Sequence, residues 1–183
     1  WPAGLFDICM VEKPRAAFHR AMWNDEPIVR IAVRDNALDI DHGRDLWQWP
    51  NMAAIWNFPR AYEGLVIEVN TTTNCERVAL FHNGNEMGVR RTADYPNHTI
   101  TWCLPYRRGT LVAKGINGTD TVAVHEIRTA GDAVRLKATA DRGKLMADGQ
   151  DLSYVQVELL DKDGTLVQHA DRHVKASIEG EGC

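Results

Sequence analysis

The residues best able to do chemistry stand in one aromatic stretch. Trp47, Trp49 and Trp56 fall in a run from Leu46 to Pro59, interleaved with Gln48, Asn57 and Pro50. Exposed indole rings stack on the apolar faces of sugars, and Asn and Gln side chains hydrogen-bond their hydroxyls. Trp1 is a further ring of the same kind. The candidate substrate-binding residues are therefore Trp1, Trp47, Trp49 and Trp56. The competing reading of the stretch is structural: the rings seal one end of a domain and the prolines fix an edge segment. Burying a Trp removes a large apolar area from water, which favours that alternative.

Carboxylates are the second candidates. Asp39, Asp41, Asp148, Asp151, Asp161 and Asp163 sit in turns or on the polar side of alternating segments. Paired catalytic carboxylates need a rigid cleft and one raised pKa, and these positions predict neither. No catalytic residue is assigned. The clusters Asp39/Asp41/His42 and Asp161/Asp163 match no twelve-residue calcium loop. Cys9, Cys75, Cys103 and Cys183 form no Cys-x-x-Cys pair, so no metal site and no cofactor are expected. Cys75 and Cys103 could face each other across strands, the plainer reading being two buried free thiols. Nucleophile elbows, phosphate loops and dinucleotide fingerprints are absent from the sequence.

The elements that must position these groups follow from periodicity. Pro14 suits the first position of a helix running to Trp23, with Ala17, Phe18, Ala21 and Met22 on its apolar face. Asn24 to Pro27 breaks it. From Pro27 the period becomes two: Val29, Ile31, Val33; then Leu65, Ile67, Val69; then Val78, Leu80; then Ile100, Trp102, Leu104. Asn83-Gly84 and Asn117-Gly118 are hairpin signals of type I′. About seven short strands before Ala130 predict an immunoglobulin-like β-sandwich. After Gly131, alternation at Val134–Ala138, Val155–Leu159 and Val174–Ile178 predicts a partial second sandwich of four strands. Its open edges predict pairing with a second copy or sideways packing.

The chain has 183 residues, 44% apolar and 25% charged, the mix of a folded protein. A net charge of -4 with no dominant basic patch argues against nucleic acid. No apolar run reaches the roughly 18 residues of a membrane span, so no membrane partner is expected. Trp1 follows no Met, and the lone helix before the sandwich and the short strand run after it make both ends look cut. The expectation is a piece of a larger multidomain protein.

Six stretches in order resemble the C-terminal part of glycoside hydrolase family 2 enzymes of the bacterial β-galactosidase type. They are Gly4-Leu5-Phe6-Asp7-Ile8-Cys9 with Lys13-Pro14-Arg15 and Trp23; Trp56-Asn57-Phe58-Pro59; and Thr73-Asn74-Cys75 through Phe81 and Asn83-Gly84. Tyr95 to Trp102 with Pro105-Tyr106 and Gly109-Thr110-Leu111, Thr129-Ala130-Gly131, and Ala147-Asp148-Gly149-Gln150-Asp151-Leu152-Ser153-Tyr154-Val155 complete the set. The resemblance implies that residues 1–25 end a catalytic (β/α)8 barrel, 26–130 form the sandwich, and 131–183 begin a second one. It implies that the two catalytic glutamates of a retaining mechanism stand on barrel strands outside this chain, and that Trp1 lies near the sugar. The implied partner is the missing catalytic barrel, with a galactoside or polysaccharide as ligand. The bacterial periplasm or cell exterior is favoured over the cytoplasm. The other functions weighed are a carbohydrate-binding module using the surface tryptophans and an adhesin-like array. The second needs internal repeats the sequence lacks.

Overall fold

A computed structural model describes residues 4–7, 10–34, 50, 52–168, 170–177 and 179. The chain divides into two compact units, Trp1–Thr129 and Ala130–Cys183.

Among the described residues of the first unit one α-helix, α1 (Pro14–Trp23), precedes eight strands: β1 (Val29–Arg34), β2 (Met52–Ala53), β3 (Val66–Thr73), β4 (Arg77–His82), β5 (Asn85–Arg91), β6 (Thr99–Pro105), β7 (Thr110–Asn117) and β8 (Asp120–Arg128). They form two antiparallel sheets, β2-β1-β3-β6 and β5-β4-β7-β8. The fold is the expected immunoglobulin-like sandwich. Period two is what builds it, because alternate side chains of each strand face the opposing sheet. Val29, Ile31, Val33, Ile67, Val69, Ile100, Trp102 and Leu104 meet Val78, Leu80, Leu111, Ala113 and Ile127 in one core. The core also buries polar groups, and each finds a partner. Trp102 Nε1 donates to Thr71 Oγ1 at 3.0 Å, and Thr73 Oγ1 donates to the Ile28 carbonyl at 2.7 Å. An unpaired buried donor would cost about 1–3 kcal/mol, so a threonine-rich strand fits the core here.

Helix α1 carries Pro14 at its first turn and stops at Trp23, with Asn24 extended after it. Its buried face is Ala16, Ala17 and Ala21, with Ala17 and Ala21 packed on Ile28. Met22, expected on that face, is 42% exposed. Small alanines let the helix approach the sheet closely, which leaves the bulkier Met22 outside.

Asn83–Gly84 forms the predicted two-residue turn, both at positive φ, pairing His82 with Asn85. The second hairpin turns on Gly118–Thr119 instead of Asn117–Gly118, since Asn117 pairs with Asp120. Cys75 is a buried free thiol, whereas Cys103 is exposed on β6 opposite Glu68, so the two do not share a buried environment.

The second unit contains an antiparallel pair, β9 (Arg135–Ala140) and β10 (Val155–Leu160), and a bridge between Leu160 and Leu166. The strand expected at Val174–Ile178 is not formed at Val174 and Ala176; Ile178 lies outside the described residues. Asp161 organises the turn after β10. Its carboxylate accepts the amides of Gly131, Asp163 and Thr165 at 2.8–2.9 Å, and those bonds hold its pKa below the ordinary carboxylate value. Asp161 is thus a turn anchor, and no group of His, Cys, Asp or Glu among the described residues forms a metal cluster.

Candidate functional site

Strand β4 connects two contrasting ends of the sandwich. At its His82 end lie Trp56 and Phe58 of the predicted sugar-binding stretch. Trp56 has no exposed surface. Its ring meets Tyr106 at 4.9 Å, His82 at 5.6 Å and Phe58 at 6.0 Å between centroids, all edge to face. Its Nε1 donates to the Arg107 carbonyl at 3.0 Å, and its own carbonyl accepts Thr129 Oγ1 at 2.6 Å. A ring so enclosed offers no face to a sugar. The expectation of a stacking role for Trp56 is therefore corrected: it seals the sandwich, because an aromatic nest with its one donor satisfied keeps more apolar area from water than an exposed ring. Trp1, Trp47 and Trp49 lie outside the described residues, as do Asp39, Asp41 and His42.

At the Arg77 end the sandwich is open. A cleft of about 690 Å³ is lined by the β3–β4 turn (Asn74, Cys75, Glu76), Arg77, Arg91, and the two short turns after β5, including Thr92, Tyr95, Asn97 and His98. The walls are held by bonds across the turn: Thr92 Oγ1 donates to the Cys75 carbonyl at 2.5 Å, and the Thr92 amide donates to Glu76 O at 2.9 Å. Asn74 ties the wall to the end of α1, donating to the carbonyls of Asn24 and Glu26 at 2.9 Å and accepting the Ile28 amide at 2.8 Å. Asn97 and His98 both have left-handed backbones, φ 57° and 53°. Two such non-glycine residues in succession are uncommon and are found where surroundings over-determine the chain. His98 Nδ1 lies 3.1 Å from the Thr73 carbonyl. A carbonyl can only accept, so Nδ1 carries the hydrogen, and in the neutral ring Nε2 is the acceptor.

Arg77 and Arg91 are direct cross-strand partners. Counting back from the Asn83–Gly84 turn pairs Arg77 with Arg90 instead. A bulge between Leu80 and Phe81 of the ladder shifts the register by one. Arg90 then turns onto the core, its guanidinium carbon 4.5 Å from the Trp102 ring centre and its Nη1 donating to Tyr95 Oη at 3.0 Å and to the Thr101 carbonyl. Sequence reasoning missed this end altogether. The legible signal was the hairpin itself, which brings arginines from both arms to one place.

The comparisons with known proteins agree with the architecture. Residues 136–183 match the family model for glycoside hydrolase family 2 C-terminal domain 5, and residues 64–123 match a domain of unknown function, DUF4982. The chain is 29% identical to β-galactosidase BoGH2A of Bacteroides ovatus, over 100% of this chain and 19% of that protein. It is 27% identical to a putative β-glucuronidase of Formosa agariphila, over 97% of this chain and 15% of the other. The solved structure of a glycosyl hydrolase family 2 member from Bacteroides cellulosilyticus superposes with a TM-score of 0.84 at 33% identity, covering 91% of this chain and 22% of that one. The chain thus spans about a fifth or less of the length of the curated relatives it matches. On fold, on order of motifs and on these matches, the chain belongs to the C-terminal, sandwich-domain portion of glycoside hydrolase family 2.

Proposed function

We propose that this chain is the accessory C-terminal region of a retaining β-galactosidase-type enzyme and is not itself catalytic. The observation that carries the reading is the match along the whole chain to a β-galactosidase about five times its length. In this reading residues 1–25 close the catalytic barrel, 26–130 form the supporting sandwich, and 131–183 begin a second one. The apolar rim before and at the end of α1 supports it: Phe6, Met10, Val11 and Trp23 are 48%, 75%, 47% and 70% exposed. Large apolar side chains left exposed on this segment favour a covering partner, here the barrel. Hydrolysis of terminal β-galactosides belongs to the intact enzyme, through carboxylates on its barrel strands.

The test is turnover of chromogenic β-galactoside and β-glucuronide by the isolated chain. The expected result is background hydrolysis only. Turnover that disappears on substituting an acidic residue of this chain overturns the reading. Trp1, Trp47 and Trp49 remain the rings proposed to meet a sugar. Affinity electrophoresis on galactose-containing polysaccharides tests them, with retardation lost in Trp49→Ala as the supporting outcome.

A further inference from the structure

We infer that the open cleft between Asn74 and His98 is a binding site for an acidic saccharide, a sugar bearing a carboxylate or sulfate group, held by Arg77 and Arg91. The choice of a saccharide rests on the glycoside hydrolase reading; the choice of an anion rests on the cleft alone.

The carrying observation is the Arg77–Arg91 pair. Like charges placed directly opposite in an antiparallel ladder destabilise it. Both residues line the cleft. None of the ion pairs among the described residues includes either one. Arg77 uses one amine on the Gly118 carbonyl, which leaves most of its donors free. The carboxylate of Glu76, in the same wall, is engaged by the Gly118 amide at 2.9 Å. Two guanidinium groups facing one concavity present a planar set of donors suited to a carboxylate or sulfate.

The rest of the lining suits hydroxyls. In the neutral ring His98 Nε2 accepts a hydroxyl, and the exposed Asn97 supplies both a donor and an acceptor. The left-handed turn at these two residues holds them at the rim without a regular strand. The volume, about 690 Å³, lies within the roughly 300–1,000 Å³ of small-molecule sites. An inorganic anion would fill a small part of it, whereas a short oligosaccharide fills it and places its acidic group on the arginines.

The experiment is titration calorimetry of the full 183-residue chain with four probes: an oligogalacturonate, a sulfated galactan oligosaccharide, an uncharged galactan oligosaccharide of equal length, and inorganic sulfate. At least one acidic oligosaccharide is expected to bind, more weakly as salt rises, and the uncharged one is not. Arg91→Gln is expected to weaken binding about tenfold or more, the loss of a charged hydrogen bond. The ligand-free variant is expected to melt about 1–3 °C higher, because the opposed charge is gone. Failure of both acidic sugars to bind, equal binding of the uncharged one, or unchanged affinity in Arg91→Gln overturns the proposal. Inorganic sulfate binding as tightly as the sugars also overturns it, since the cleft would then be an anion site only. Each of these outcomes leaves the hydrolase reading untouched, because that reading fails only on turnover by the isolated chain.

Discussion

The two ends of strand β4 show how one sandwich closes and opens itself. At His82 the sheets are capped by Trp56, Phe58 and Tyr106 in edge-to-face contact. At Arg77 they part around a polar cleft with two opposed arginines. One strand of six residues joins an aromatic cap around the buried Trp56 to an open cleft. The difference teaches that Trp56 and Phe58, which look like ligand contacts by residue type, serve stability. The end that looks ordinary by residue type carries the unbalanced charge. Large rings gain most when enclosed, whereas guanidinium groups keep their hydration and stay at the mouth.

The sharpest way to break this contrast is Trp56→Ala. If the closed end is structural, the loss is about 3–5 kcal/mol in chemical denaturation, the range for removing a buried large aromatic. A loss below about 1 kcal/mol with altered sugar binding would return the ring to the list of ligand contacts.

The next effect tests the turn behind the cap. Gly109 has φ +136°, and a Cβ there would stand 1.8 Å from Asn83 Oδ1. Asn83 accepts the Thr110 amide at 2.8 Å and donates to the Arg108 carbonyl at 3.0 Å. Gly109→Ala is expected to cost about 1–3 kcal/mol by equilibrium unfolding, from backbone strain and the displaced Asn83. A neutral result would show that the closed end has slack.

A smaller effect lies midway between the ends. His125 on β8 accepts the Ile31 amide of β1 at 3.0 Å, joining the two sheets. Burial first, and the charge of Arg30 second, lower its pKa from 6.5 to about 4. The native state therefore holds His125 neutral while the unfolded chain takes a proton near pH 6.5. Stability from this group is complete above that pH and is lost as pH falls from 6.5 toward 4. The loss is on the order of 1–2 kcal/mol once partial exposure is allowed for. It is read as the slope of unfolding free energy against pH between 6.5 and 5, and His125→Asn should flatten that slope. The smallest effect is at the open end, where Arg91→Gln should raise stability by a few tenths of a kcal/mol.

Much of the architecture was legible in the residues. Alternation at Val29–Val33, Val78–Leu80 and Ile100–Leu104 marks strands whatever surrounds them, because side-chain direction follows the backbone period. Pro14 and the break at Asn24 bound the helix for equally local reasons. The second unit was less legible: alternation near Val174 suggested a strand, but a strand forms only where a partner supplies the other half of its hydrogen bonds. The helix face was half right, since the choice between Ala16 and Met22 depends on how closely a neighbouring sheet approaches. The candidate site was not legible by residue type.

The sequence by itself determined the strand periods, the helix start, the Asn83–Gly84 turn and the order of motifs that marks the family. These are set by chirality, sterics and local hydrogen bonding within a few residues. The tertiary structure alone decided that Trp56 is enclosed and that Arg91, in place of Arg90, opposes Arg77. Enclosure depends on residues distant in the chain, such as Tyr106 and Thr129, meeting at one point. The arginine register depends on a single extra residue in one strand, and because side chains alternate with period two, that one residue exchanges the core face for the cleft.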